Sequence, residues 1–289
     1  MRFHVMTLFP DMIANGLGTS ITGRAIQQHK FELNIVNIRD YTQDKHKHVD
    51  DYPYGGGQGM VLMCQPIIDC LKDIATDESL VILMSPQGRT LNQKYSSELS
   101  LEKHIVIICG HYEGFDERIR DYVDVELSIG DFILTGGELA SMVVTDSVVR
   151  LLEGAIRNES HEDDSFSDGL LEYPQYTRPY IYDGNEVPEI LLSGHHENIR
   201  KWRLKQSLLK TLNKRPDLLE NREFSKEELK ILEEIRKKDW FILQKMVLYL
   251  SLWTAEVPLV NKRMNFEETN IILYRRKSYH EYAISRTNY

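Results

Sequence analysis

Short apolar stretches recur along the first half of the chain, and segments with helical periodicity lie between most of them. The stretches are rich in β-branched residues, as strands are. They cover Phe3 to Leu8, Phe31 to Ile38, Leu80 to Met84, His104 to Cys109 and Tyr122 to Ser128. This alternation predicts an α/β domain whose mostly parallel sheet is covered by helices on both faces.

Three glycine-bearing loops follow predicted strands, at 85–88, 110–114 and 129–137. Because open parallel sheets bind ligands beyond the carboxyl ends of their strands, we expect the binding site there. The Gly-x-Gly-x-x-Gly fingerprint of dinucleotide-binding proteins is absent. A stretch similar to a phosphate-binding loop has Arg24 and Ala25 where lysine and a hydroxyl residue are required. The sequence therefore excludes the common nucleotide-binding motifs.

The second half of the chain has a different pattern. Glu153 to Asp183 shows little periodicity and many acids, which predicts a linker or lid. Beyond it, apolar residues between Ile199 and Leu212 fall mostly on one helical face, and Ser225 with Glu228 has the spacing of a capping box. We predict an α/β domain over 1–160, a flexible acidic linker over 161–183, a helical domain over 184–245 and an extension of unknown role over 246–289.

The composition, 42% hydrophobic and 27% charged, is that of an ordinary globular protein. The three cysteines, Cys64, Cys70 and Cys109, form no Cys-x-x-Cys pair and lie in apolar surroundings, which favours a reducing compartment. The N-terminus has no signal-peptide pattern, and Trp240 to Trp253 is too short and too polar for a membrane span. We therefore expect a cytoplasmic protein without a membrane partner.

The formal net charge of -9 hides an uneven distribution. Between His196 and Arg215, seven cations accompany a single acid, Glu197, whereas residues 159–172 contain six acids and no lysine or arginine. Binding to nucleic acid depends on where positive charge is concentrated rather than on its sum. The basic stretch is either an RNA contact or a solvated helix face.

Nine motifs stand in order along the chain. They are TLFP, TGRA, DDYPYGGGQGM, SPQGR, CGHYEGFDER, SIGDFILTGGELA, DSF, GLLEYPQYTRP and SGHHENIRKWRLKQS. Together they resemble the bacterial tRNA (guanine-N1)-methyltransferases, the knotted TrmD family that modifies the guanine next to the anticodon, from Met1 to about Asp239. The resemblance implies a C-terminal trefoil knot in the α/β domain and a small helical C-terminal domain that binds tRNA.

The resemblance also implies S-adenosylmethionine as the methyl donor, held by the three glycine-bearing loops. The donor-binding residues that it implies are Ser85, Pro86, Gln87, Gly110, Tyr112, Glu113, Gly114, Ile129, Gly130, Asp131, Phe132, Ile133, Leu134, Gly136 and Gly137. For Glu113 an alternative stays open: its carboxylate either faces the cationic donor or pairs with Arg118 or Arg120. Residues 1–160 are thus interpreted as the donor-binding catalytic domain.

The chemistry requires a general base, because guanine N1 must lose its proton before it attacks an electrophilic methyl group. The resemblance assigns this role to Asp164, and the neighbouring Asp163 is the alternative. It assigns to Arg150 the stabilisation of the negative charge that develops on O6.

The glycine-rich stretch 50–60 is either a flexible surface loop or a place where a polar ligand approaches backbone amides. The resemblance implies tRNA with guanine at positions 36 and 37 as the substrate. The predicted tRNA contacts are Asp50, Gly55, Gly57, Gly59, Ser165, Lys201, Arg203 and Lys205. It further implies a homodimer with active sites built from both chains, and a dependence on Mg²⁺, for which the sequence shows no ligand cluster.

The chain departs from the family pattern at Glu172 and Gln175, where relatives commonly have aspartate and histidine. The substrate-side roles of both residues are therefore in doubt. Two other functions fit a protein of this kind: a methyltransferase that modifies a ribose 2′-hydroxyl, or a non-enzymatic RNA-binding protein with the same fold.

Overall fold

The computed structural model of the chain describes residues 1–155, 165–166, 168–220 and 222–237. The chain divides into two compact units between Glu223 and Phe224. The first unit contains all the strands of the described residues, and the second is described only as far as Lys237. Of the predicted linker, residues 161–164 and 167 lie outside the described part.

In chain order the strands are β1 (Arg2–Thr7), β2 (Glu32–Asn37), β3 (Asp50–Asp51), β4 (Val61–Leu62), β5 (Ser79–Thr90), β6 (His104–Ile108), β7 (Val125–Ser128), β8 (Ile181–Tyr182) and β9 (Asn185–Glu186). Five of them form a sheet in the order β2-β1-β6-β5-β7, and every neighbouring pair is parallel. These are the five strands that the sequence predicts, so the parallel α/β sheet is confirmed. β3 with β4, and β8 with β9, form short antiparallel hairpins.

In the described residues of the first unit, the α-helices are α1 (Pro10–Leu17), α2 (Ser20–Gln27), α3 (Cys64–Ile74), α4 (Gln93–Leu99), α5 (Glu138–Val149) and α6 (His196–Lys214). Short 3-10 helices cover Ile38–Tyr41, Glu117–Tyr122, Glu189–Leu192 and Pro216–Leu219. Residues 226–237 form a further helix in the second unit. No helix in the described part of the chain is long and apolar enough to cross a membrane.

Helices cover both faces of the sheet. Successive residues of a strand point to opposite faces, and in β6 the side chain of Ile107 packs in a cluster with Val148 of α5. Its neighbour Ile108 packs on the other face in a cluster with Ile67 of α3. All five residues of β6 are buried, as expected for a central strand between two helical layers.

Strand β5 is interrupted where the first glycine-bearing loop was predicted. Met84 and Arg89 both pair with Leu127, so residues 85–88 bulge out of the strand. Pro86 lacks the amide that a ladder hydrogen bond needs, and proline within a sheet is confined to edges and bulges. The sequence ended this strand at Met84, whereas the structure continues it to Thr90 beyond the bulge.

The capping box at the start of the 226–237 helix is confirmed. The Ser225 amide donates to Glu228 Oε2 at 2.7 Å, and the Glu228 amide donates to Ser225 Oγ at 3.2 Å. The two bonds satisfy amide groups that the first turn of a helix would otherwise leave unpaired.

Candidate functional site

A cavity of about 490 Å³ lies where strands β5, β6 and β7 reach their carboxyl ends. Its wall is formed by residues 84–87, 110–115, 127–130 and 132–137, with Glu117, Arg120 and Ala140. This is the position that ligands take in open parallel sheets. The volume falls within the range of roughly 300–1,000 Å³ that is usual for small-molecule sites.

The cavity brings together fourteen of the fifteen residues that the sequence proposes for donor binding. They are Ser85, Pro86, Gln87, Gly110, Tyr112, Glu113, Gly114, Ile129, Gly130, Phe132, Ile133, Leu134, Gly136 and Gly137. The exception is Asp131, which is exposed and lies outside the lining. Three loops that are distant in sequence therefore share one wall.

Main-chain contacts join two of these loops. The Gly137 amide donates to the Gly110 carbonyl at 2.8 Å, and His111 pairs with Gly136 through an isolated bridge. A Cβ atom at Gly137 would lie 2.8 Å from the Gly110 nitrogen and 2.9 Å from Cys109 Cα. Real Cβ atoms do not approach backbone so closely, so this junction requires glycine.

The glycine-rich stretch packs against the same wall. The Glu113 amide donates to the Met60 carbonyl at 3.0 Å, and the Leu62 amide donates to the Gly114 carbonyl at 3.0 Å. Gly59 has a φ of +82°, and a Cβ there would run into the Glu113 side chain. Predicted tRNA contacts at Gly55 and Gly57 lie in this stretch, also with positive φ, and both are exposed. The stretch thus reaches the cavity wall through Gly59.

Both arginines considered as partners of Glu113 pair with other acids. Arg118 Nη2 lies 2.7 Å from Asp116 Oδ2, and Arg120 Nε lies 2.9 Å from Glu117 Oε2. The Arg118 guanidinium holds the pKa of Asp116 well below its usual range. Among the described residues, the ion pairs of Arg118 and Arg120 are made with acids other than Glu113, and the Glu113 side chain lines the cavity beside Gly59.

Several lining residues were not proposed from the sequence. They are Met84, His111, Phe115, Glu117, Arg120, Leu127, Ser128, Thr135 and Ala140. His111 lies between the rings of Phe9 and Tyr112, at centroid distances of 5.1 Å each. Its Nδ1 is buried and has no hydrogen-bond partner in the described part of the protein. The sequence could have indicated His111 as a lining residue, because it lies inside the CGHYEGFDER motif.

Arg150, one of the two residues proposed for catalysis, does not line this cavity. Arg150 is half-buried at the C-cap of α5, where its amide donates to the Asp146 carbonyl at 3.1 Å. The twelve residues of α5 span about 18 Å at 1.5 Å per residue. Arg150 is therefore separated by the length of the helix from Gly137, which lines the cavity. Asp164 and its alternative Asp163 lie outside the described residues.

The predicted tRNA cations of α6 have different surroundings. Lys201 is exposed, with Nζ 3.4 Å from Glu197 Oε1. The Arg203 guanidinium stacks over the Tyr173 ring at 4.7 Å, and Lys205 is half-buried. Lys201 is thus the most accessible of the three.

A second cavity, of about 430 Å³, lies between α6 and residues 168–173. Arg203 and Ser207 contribute to its helical side, and Tyr173 to the opposite side. The two positions that depart from the family pattern lie nearby and contact each other: Gln175 Nε2 donates to Glu172 Oε1 at 2.7 Å. In the described residues, no group of three histidine, cysteine or acidic side chains is arranged to hold a metal ion.

The first unit is thus an α/β protein unit with a parallel sheet, a glycine-walled cavity at the carboxyl ends of the strands, and a basic helix. The model of the family described as tRNA (Guanine-1)-methyltransferase TrmD matches residues 1–221. The chain belongs to this family.

Individual relatives agree with the family match. The chain is 53% identical over 240 residues to a tRNA (guanine-N(1)-)-methyltransferase of Clostridium botulinum (strain Kyoto / Type A2), which covers 82% of this chain and 100% of that protein. It is 56% identical over 240 residues to the protein of the same name from Streptococcus suis (strain 05ZYH33), with 83% of this chain and 99% of the relative covered.

Proposed function

We propose that this protein transfers the methyl group of S-adenosylmethionine to N1 of guanosine 37 in tRNA. Membership of the tRNA (guanine-1)-methyltransferase family supports a methyltransferase that acts on tRNA. The observation that carries the finer proposal is the cavity, since fourteen residues of the three donor-loop motifs share its wall. We propose with it the trefoil knot that the family implies for these loops.

The cavity has the properties that the donor requires. Glycines at 110, 114, 136 and 137 let the backbone wall of the cavity approach the edge of an adenine ring without side-chain bulk. Ile129 and Leu134 supply apolar contact for the ring faces, and the Glu113 carboxylate supplies negative charge for the cationic end of the donor. When bound, the donor supplies an electrophilic methyl group.

Residues of the chain prepare guanine for the reaction. Asp164 takes the proton from N1, so that the ring nitrogen has a lone pair available for attack. Negative charge then spreads to O6, where the Arg150 guanidinium stabilises it more strongly in the transition state than in the ground state.

The distance between Arg150 and the cavity supports a homodimer with shared active sites. Arg150 stands about 15 Å along α5 from Ala140, the residue of the cavity wall that is nearest to it on this helix, and this is beyond the reach of its own side chain. Helices α1 and α5 pack on each other and expose large apolar side chains, among them Met12, Leu139 and Val143. Because such exposed patches mark interfaces, this face is suited to a second copy whose Arg150 and Asp164 complete the site.

The basic side of α6 is proposed to bind tRNA phosphates through Lys201, Arg203 and Lys205, a contact that weakens with salt. Asp50, Gly55, Gly57, Gly59 and Ser165 are proposed to contact the substrate near the cavity. The dependence on Mg²⁺ and the cytoplasmic location stay predictions from the sequence.

The test is identification of the product. Purified full-length protein is incubated with labelled S-adenosylmethionine and unmodified tRNA that carries guanine at positions 36 and 37, and the digested RNA is examined by mass spectrometry. We expect 1-methylguanosine at position 37. Asp164→Ala should lower the rate by about 10²- to 10⁴-fold, the contribution of a general base, whereas Asp163→Ala should lower it much less.

Other products would overturn the proposal. A methylated ribose would indicate the 2′-hydroxyl reaction. A protein that binds tRNA and the donor but forms no product would favour a non-enzymatic RNA-binding role.

A further inference from the structure

The segment that follows Asp164 is folded back on itself. The Phe166 amide donates to the Leu170 carbonyl at 2.7 Å, and the Glu172 amide donates to Ser165 Oγ at 2.9 Å. These bonds join the start of the segment to its end. Ser165, the first described residue after Asp164 in sequence, is thereby fixed relative to residues 170–172.

A buried hydroxyl of α6 holds this segment. The Leu171 amide donates to Thr211 Oγ1 at 2.8 Å, and the same hydroxyl donates to the Ser207 carbonyl at 2.7 Å. Thr211 is fully buried, and the neighbouring Leu170 is only 2% exposed. Because water does not reach this contact, loss of the hydroxyl would leave the Leu171 amide without an acceptor.

Three basic residues reinforce the same attachment. Lys210 Nζ donates to the Glu172 carbonyl at 2.9 Å, and Arg222 Nη1 donates to the Asp168 carbonyl at 2.8 Å. The Arg203 guanidinium stacks on the Tyr173 ring. These cations therefore bind residues 168–173 of the same chain. Part of the positive charge on and near α6 thus has a structural role besides the proposed binding of RNA.

We propose that Thr211 is a positioning residue for the methyl transfer: its hydroxyl holds on α6 the described residues 165–166 and 168–173, which follow the proposed base directly in sequence. This rests on the proposed function of Asp164. Helix α6, which carries the proposed tRNA contact Lys201, also holds residues 168–173 through Thr211.

The test compares Thr211→Val, which is isosteric but lacks the hydroxyl, with Thr211→Ser, which keeps it. In the full-length protein we expect Thr211→Val to lower kcat about tenfold, while the KM values for tRNA and the methyl donor change less than about twofold. A tenfold change corresponds to about 1.4 kcal/mol, within the cost of a buried amide without an acceptor. Thr211→Ser should restore most of the loss, which a purely steric role would not predict.

Hydrogen exchange at the Leu171 amide provides a readout that does not depend on activity. We expect slow exchange in the wild type and in Thr211→Ser, and faster exchange in Thr211→Val. If Thr211→Val does not fold, Lys210→Met removes the bond to the Glu172 carbonyl and should lower kcat in the same way, by a smaller factor.

The outcomes separate the inference from the proposed function. Wild-type protein that forms no 1-methylguanosine would defeat the proposed function, while the exchange rates would still test the attachment. If 1-methylguanosine forms and Thr211→Val, or Lys210→Met in its place, keeps the wild-type kcat, the positioning role is wrong. A rise in KM for tRNA with unchanged kcat would also contradict it.

Discussion

The cavity and the α6 segment are built in different ways. The cavity is closed by the main chain: the Gly137 amide bonds to the Gly110 carbonyl, and the Leu62 amide bonds to the Gly114 carbonyl. The segment over 165–173 is instead held largely by side chains of α6, through Thr211 and Lys210. Backbone contacts tolerate many changes of side chain, whereas a side-chain contact is lost together with the side chain that makes it.

The two regions should therefore be sensitive to different types of substitution. At the cavity, the addition of a Cβ atom should be more harmful than the loss of an exposed side chain. On α6, loss of a single hydroxyl or charge should be enough to change function, because among the described residues no main-chain hydrogen bond joins the segment to this helix.

The largest effect is expected at Gly137. Gly137→Ala places a methyl group against the backbone of Gly110 and Cys109, and overpacking of this kind costs about 1–3 kcal/mol. Calorimetry should therefore show S-adenosylmethionine binding weakened by about 5- to 150-fold.

The matched control is Gly184→Ala. Gly184 has a φ of +76° in the turn between β8 and β9, and a Cβ there would meet nothing within 4 Å. This variant carries the cost of a positive φ without a clash and should bind the donor normally. Equal weakening in both variants would mean that the junction at Gly137 has no special role.

A smaller effect is expected for a charge on α6. Lys201→Ala should weaken tRNA binding several-fold and should lower the slope of log affinity against log salt by about 0.7–0.9, the share of one phosphate contact. Lys103→Ala is the control, because Lys103 is also exposed and also pairs with a glutamate, Glu78. An unchanged salt slope in Lys201→Ala would place tRNA elsewhere.

The smallest effect concerns stability near the amino ends of the inner strands β1 and β6, opposite to the strand ends that carry the cavity. His4 Nδ1 lies 2.7 Å from His104 Nε2, and His104 Nδ1 lies 2.7 Å from Ser79 Oγ. Burial lowers the pKa of both histidines below the ordinary value of 6.5. The unfolded chain therefore takes up protons more readily than the folded protein as the pH falls through that value, and stability is lost.

Thermal unfolding between pH 7.5 and pH 5.5 measures this loss. The wild-type melting temperature should fall as the pH falls, and His4→Gln should reduce the fall because one titrating group is removed. Donor binding at pH 7.5 should be the same in both proteins. A steeper fall in the variant would contradict the assignment.

The sequence predicted some parts of this structure well, for local reasons. The five strands follow from apolar periodicity, and the capping box of Ser225 and Glu228 depends on residues three apart. The continuation of β5 beyond Pro86 was missed, because a bulge requires knowledge of the neighbouring strand. Likewise, the stacking of Arg203 on Tyr173 joins residues 30 positions apart and has no signature in the sequence.

The site shows the same division. The three loops were found because each follows a predicted strand and carries a family motif, and the structure brings them together. The position of Arg150 at the far end of α5 follows from the length of the helix, yet its bearing on the proposed dimer depends on the cavity at the other end, which the sequence does not show. Motifs identify residues, and the fold decides which of them can meet within one chain.

The most direct test of the shared active site is activity in mixed dimers. Asp164→Ala protein and Gly137→Ala protein are combined after exchange of subunits, at a donor concentration where neither homodimer is measurably active. We predict about a quarter of the wild-type activity, because random pairing makes half of the dimers mixed and each mixed dimer holds one complete site. Mixed dimers that form but show no activity would contradict a site built from two chains.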